Sequence, residues 1–192
     1  MSKFGTILTL VALGAMTAQA GNISGKVTAG KGTSVVWLEA IPGKTFSKPD
    51  KPVVMDQKSL LFQPHIMVAP VGTTVEFQNS DNVQHNIFWP SISGNKKLTH
   101  NMGTWPKGEK RNFQFETPGV VPLLCNVHPE MSGYIIVTPT PYFAETDDSG
   151  NFKIANVPDG SYTVAAWHEG YKVQSRPVTV AGDATAEFSL TK

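Results

Sequence analysis

Cysteine is almost missing from this chain: Cys125 is the only one among 192 residues. A single thiol closes no internal disulfide, so whatever fold forms is not stapled. An excess of one charge is missing too. The chain has 16 Lys and Arg against 15 Asp and Glu, without the basic surplus that a phosphate backbone requires, so nucleic acid is not an expected partner. No apolar run reaches the ~20 residues of a membrane-spanning helix. No segment carries a useful length of helical periodicity. What remains is short runs rich in Val, Ile, Phe and Tyr, punctuated by 17 Gly and 14 Pro. That is the pattern of an all-β sandwich or barrel.

The N-terminus has a cationic start at Lys3, a short apolar stretch from Phe4 to Met16, and Ala18-Gln19-Ala20. These are the parts of a cleaved secretory signal peptide over residues 1–20, with a mature chain from Gly21 and a periplasmic destination. A retained N-terminal anchor is the alternative, and no cysteine stands near the cleavage point to take a lipid. Loss of Lys3 leaves 15 side chains of each sign. In an oxidising compartment a free thiol is a liability. Metal ligation is the simplest way to restrain Cys125, and an inert buried thiol is the plainer reading.

Strands are expected at 22–28, 33–40, 52–56, 65–69, 73–79, 84–88, 111–115, 119–124, 133–137, 151–155, 161–167, 171–180 and 184–190. Residues 52–138 read as one complete sandwich. Thr138-Pro139-Thr140-Pro141 reads as a stiff linker, followed by turns at 146–152 and 156–162 that feed strands. The piece beyond the linker is only about 50 residues, marginal for an independent core. The strands around Ile23–Val27 and Val35–Glu39 are spare if the larger sandwich is already complete. Size therefore favours residues 22–45 joining residues 142–192 in one discontinuous sandwich, with the larger one inserted between. The plainer alternative has 22–45 extending the larger sandwich.

One loop carries chemistry. In Cys125-Asn126-Val127-His128-Pro129-Glu130-Met131 a thiol, an imidazole and a thioether follow one another at three-residue spacing. That is the soft ligand set that copper selects. Met131 alone reads as a core methionine; the spacing reverses that reading. His85 is well placed upstream to be the fourth ligand. Two His, one Cys and a weak axial Met form the blue-copper electron-transfer site. Cys125 is expected to bind as thiolate, His85 and His128 through neutral ring nitrogens, with Pro129 stiffening the turn.

At this point residues 52–138 resemble a cupredoxin. The resemblance rests on Phe62-Gln63-Pro64 and on 68–77, similar to strands of plastocyanin and amicyanin. It rests also on Asn79-Ser80-Asp81 ahead of His85-Asn86-Ile87, and on Gly119 followed by Cys125-x-x-His128-x-x-Met131 in the short amicyanin-like spacing. The plastocyanin-like proteins of bacterial methylamine utilisation are the most similar group. The resemblance implies a Greek-key β-sandwich with one type 1 copper per chain on His85, Cys125, His128 and Met131. It also implies that Asn86 hydrogen-bonds near the cysteine sulfur, and that His128 is the electron port toward a redox protein donor and acceptor. The tail resembles a carboxypeptidase regulatory-like domain, through residues 146–152 and 157–164 and the opening strand Ile23–Val27. This implies a second, smaller, transthyretin-like β-sandwich.

The remaining histidines draw blander readings. His65 is expected as an exposed strand residue and His168 as a surface or structural histidine, with a second metal site between them as the sharper alternative. His100 and Met102 read as loop residues within 91–110. Lys96, Lys97, Lys107, Lys110 and Arg111 read as a solvated stretch or as a docking patch for an acidic redox partner. Trp37, Trp89, Trp105 and Trp167 read as packing residues. The leading expectation is an exported monomeric carrier of single electrons. A copper chaperone or buffer, and a scaffold whose metal only stabilises the fold, are the alternatives. An enzyme is least expected, since neither a second histidine cluster nor a Ser/His/Asp or paired-carboxylate arrangement stands out.

Overall fold

The structure is a computed structural model and describes residues 19–192, so the expected signal peptide falls outside the described residues except for Gln19 and Ala20. In chain order the strands are β1 (Ala20–Thr28), β2 (Ser34–Leu38), β3 (Val53–Lys58), β4 (Leu61–Gln63), β5 (Ile66–Pro70), β6 (Thr74–Asn79), β7 (His85–Trp89) and β8 (His100–Trp105). They continue as β9 (Lys110–Gln114), β10 (Gly119–Leu124), β11 (Ser132–Thr138), β12 (Phe143–Glu145), β13 (Asn151–Pro158), β14 (Gly160–His168), β15 (Gln174–Val180) and β16 (Ala184–Ser189). The helical content of the described residues is a single 3-10 turn, Lys96–Leu98. The described residues are all-β, as the sequence pattern requires.

The strands form four sheets: β4-β3-β6-β9, β5-β11-β10-β7-β8, β12-β2-β14-β15 and β13-β1-β16. The first two draw only on strands between Val53 and Thr138. The other two join both ends of the chain: β1 lies between β13 and β16, and β2 between β12 and β14. Side chains alternate across a strand, and this alternation explains how the sheets stack. In β11, Ile135 and Val137 enter a core with Met55, Phe77 and Leu123, while Ile136 turns the other way. In β2, Val36 and Leu38 enter a core with Ile23 and Phe188, while Val35 and Trp37 face Ile136. A third core, with Ala165 and Trp167 of β14, is therefore shared between the two sandwiches. Coverage on both faces is why all five residues of Ser34-Val35-Val36-Trp37-Leu38 are buried and why Val35–Leu38 is apolar without a break.

The segment Thr138-Pro139-Thr140-Pro141 is not a free spacer. Thr138 and Thr140 are buried; the Thr138 hydroxyl donates to the Thr140 carbonyl and the Thr140 hydroxyl to the Leu38 carbonyl, each at 2.9 Å. Threonine hydroxyls satisfy buried carbonyls that proline, lacking an N–H, cannot reach. The second expected turn is tighter than 156–162: β13 runs to Pro158 and β14 starts at Gly160. His100 and Met102 lie in strand β8 rather than in a loop. That strand pairs with β7 at a sheet edge, where polar side chains carry little periodic signal. All four tryptophans are buried.

Candidate metal centre

Strand β10 ends at Leu124, which pairs with Phe88 of β7. Cys125 therefore leaves the sheet beside the start of β7, where His85 is the first residue. Both are buried, as is Met131. The loop returns on itself at once: the Met131 N–H donates to the His128 carbonyl at 3.0 Å, closing a turn around Pro129-Glu130. One ring nitrogen each from His85 and His128 and the Cys125 sulfur lie within 4.8 Å of one another. The two Nδ1 atoms are 3.0 Å apart and the rings meet edge-on at 4.8 Å. Met131 packs in the same core as Cys125.

Asn86 knits the surroundings. Its N–H donates to Cys125 Sγ at 3.4 Å, and its side-chain oxygen accepts from the Asn126 N–H at 3.3 Å. Its amide nitrogen donates to Asn101 Oδ1 at 2.9 Å and to the Gly103 carbonyl at 2.8 Å. One side chain thus links β7, β8 and the ligand loop, which limits how far the sulfur can move.

Sequence reasoning missed Asp81. Its carboxylate accepts from His85 Nε2 at 2.9 Å, which leaves Nδ1 as the lone pair facing His128 and Cys125. The same carboxylate accepts from the N–H groups of Ser59 and Leu60, at 2.7 and 2.9 Å. Those two residues form the two-residue turn between β3 and β4, both with positive φ, near 59° and 58°. Hairpins of this kind favour Asn-Gly, and a leucine there is strained. Burial acts to raise the Asp81 carboxyl, but the Leu60 N–H, the His85 ring and the Ser59 N–H outweigh it and hold it below the usual carboxylate range. The signal available in sequence was the four-residue spacing Asp81-x-x-x-His85.

The donor set fits a copper ion: one thiolate-forming sulfur and two imidazoles with like nitrogens turned to one point, in a pocket whose backbone is already tied. Among the described residues this is the only group of three or more His, Cys, Asp or Glu side chains drawn so close. His65 and His168 instead line one cleft of about 360 Å³ between the sandwiches, together with Glu145 and Glu169. His65 is exposed but lies just ahead of β5 rather than within it. His168 is buried, with Nδ1 3.0 Å from the Ser34 hydroxyl, which is a structural role. Of the basic stretch, Lys110 pairs with Glu76, Lys107 donates to Asn82, and Arg111 donates to the Met102 and Thr104 carbonyls.

Residues 133–191 match the family model for the carboxypeptidase regulatory-like domain. Among solved structures, the Cu(I) form of an amicyanin mutant is 21% identical with a TM-score of 0.42, over 46% of this chain and 84% of that one. The oxidised state of another amicyanin mutant gives the same figures. A copper-containing nitrite reductase from Thermus scotoductus SA-01 is 28% identical with a TM-score of 0.42, over 52% of this chain and 25% of that one. No curated protein matches the chain.

Proposed function

We propose that this is an exported, mononuclear type 1 copper protein that carries single electrons between periplasmic redox proteins. His85, Cys125, His128 and Met131 are its ligands, and residues 52–138 are its copper domain. The observation that carries this reading is the convergence of two imidazole nitrogens and the thiol sulfur within 4.8 Å. Bound copper would supply one-electron exchange between its Cu(I) and Cu(II) states. The protein's part is to hold its donors still. Asp81 fixes the His85 tautomer, Asn86 restrains the sulfur, and the sandwich buries three of the four ligands. His128 is only half-buried and stands next to exposed Val127, which suits it to pass electrons to a docked partner. The same burial favours a retained ion over one handed on, and a carrier over an enzyme. In this reading the smaller sandwich, residues 22–45 with 142–192, hosts the copper domain as an insertion.

Copper titration followed by voltammetry tests the errand. The expected result is one copper per chain and a reversible one-electron wave. Tight Cu(I) uptake with no reversible wave would return the protein to copper delivery or buffering.

A further inference from the structure

The residue after Met131 is held by His65, which in turn reaches the smaller sandwich at Glu169. His65 Nδ1 lies 3.1 Å from the Ser132 carbonyl, and His65 Nε2 lies 2.8 Å from Glu169 Oε2. Glu169 follows the last residue of β14, on the other side of the shared core. Both neighbours offer acceptor oxygens, one facing each ring nitrogen, so the ring bridges the Ser132 carbonyl and the Glu169 carboxylate.

The surrounding packing fixes this arrangement. The Tyr134 N–H donates to the His65 carbonyl at 2.8 Å. The Tyr134 ring sits 5.8 Å from the His65 ring and 5.0 Å from that of Trp167. Burial and then the nearby Glu169 carboxylate push the Tyr134 hydroxyl up from its ordinary value. Gly133 brings the chain close: a Cβ there would stand 2.9 Å from Phe62 Cβ and 3.1 Å from the His65 carbonyl oxygen. A half-exposed pair such as His65–Glu169, with side chains 48% and 42% exposed, adds little to global stability. Its consequence is geometric.

We propose that His65 is a positioning residue: anchored by Glu169, it fixes the Ser132 carbonyl and hence the start of β11 behind Met131, so that the smaller sandwich sets the geometry of the metal centre. The proposal rests on the copper reading, because it takes Met131 as a ligand.

The test uses the full chain as native protein and as His65→Ala, Glu169→Ala and Glu169→Gln, with and without copper. In metal-free protein the Met131–Tyr134 amides of both Ala variants exchange about fivefold faster, the effect of losing one ordinary hydrogen bond. In copper-loaded protein both Ala variants shift the EPR signal and the reduction potential, while Glu169→Gln, which keeps an acceptor oxygen, stays near native. Unchanged exchange in both Ala variants overturns the proposal. So does faster exchange with an unmoved EPR signal and potential, or an equal loss of protection throughout β11 and β14. If native protein takes up no copper, the copper reading fails and the link to the metal fails with it, while the metal-free exchange still reports whether the bridge holds this segment.

Discussion

Asp81 shows how one side chain joins two separate demands. It satisfies a turn at Ser59-Leu60 that the local sequence does not favour, and it orients His85. Asp81→Ala removes three accepted hydrogen bonds. The expected loss is about 1–3 kcal/mol of stability in metal-free protein, read by urea unfolding. Copper affinity should fall roughly 10–100-fold, because outer contacts of this kind orient the ligand. Cys125 and His128, which the structure brings together with His85, stood out in the sequence because their spacing is local and their chemistry unusual. Asp81 did not, because its meaning lies in a hairpin that reaches it only after folding. The same holds for His65, whose partner Glu169 lies far along the chain.

Elements followed the sequence where they were long and alternating. Three short or polar strands did not. β4 and β12 have three residues each, too few for a period to register, and β8, His100-Asn101-Met102-Gly103-Thr104-Trp105, is mostly polar. The strand that joins both ends of the chain, β1, makes its own prediction. A Cβ at Gly25 would stand 1.7 Å from the Ala186 carbonyl oxygen in the adjacent β16. Gly25→Ala is therefore expected to cost more than about 3 kcal/mol, measured by chemical denaturation.

Acid tests the turns around this sheet. Asn22 holds the Asp183 carboxyl low through its side chain and backbone N–H, and Asn151 does the same for Asp147. The unfolded chain then binds protons first as pH falls. The stabilisation is complete above about pH 4, near the unfolded carboxylate value, and is lost as pH drops through the lowered folded values. Asp183→Asn should flatten the acid side of a plot of urea midpoint against pH.

At the scale of the whole molecule, the third core decides how the parts behave together. Trp37 and Trp167 of the smaller sandwich pack with Ile136 of the larger one, and the Thr-Pro segment is clamped rather than loose. Native protein should melt in one calorimetric transition. Trp167→Ala is expected to cost about 3–5 kcal/mol and to split the melt into two. The unbroken apolar run Val35-Val36-Trp37-Leu38 carried this information in the sequence, since a strand wetted on one face would alternate. What covers its second face was not readable, because Ile136 of β11, which packs against it, lies about a hundred residues along the chain.

The central claim, a type 1 copper held by His85, Cys125, His128 and Met131, is tested most directly by the optical and EPR spectrum of the purified, copper-loaded, oxidised protein. The account predicts an intense blue thiolate-to-copper absorption that disappears in Cys125→Ser. A native protein without that band, or a band that survives the substitution, contradicts it.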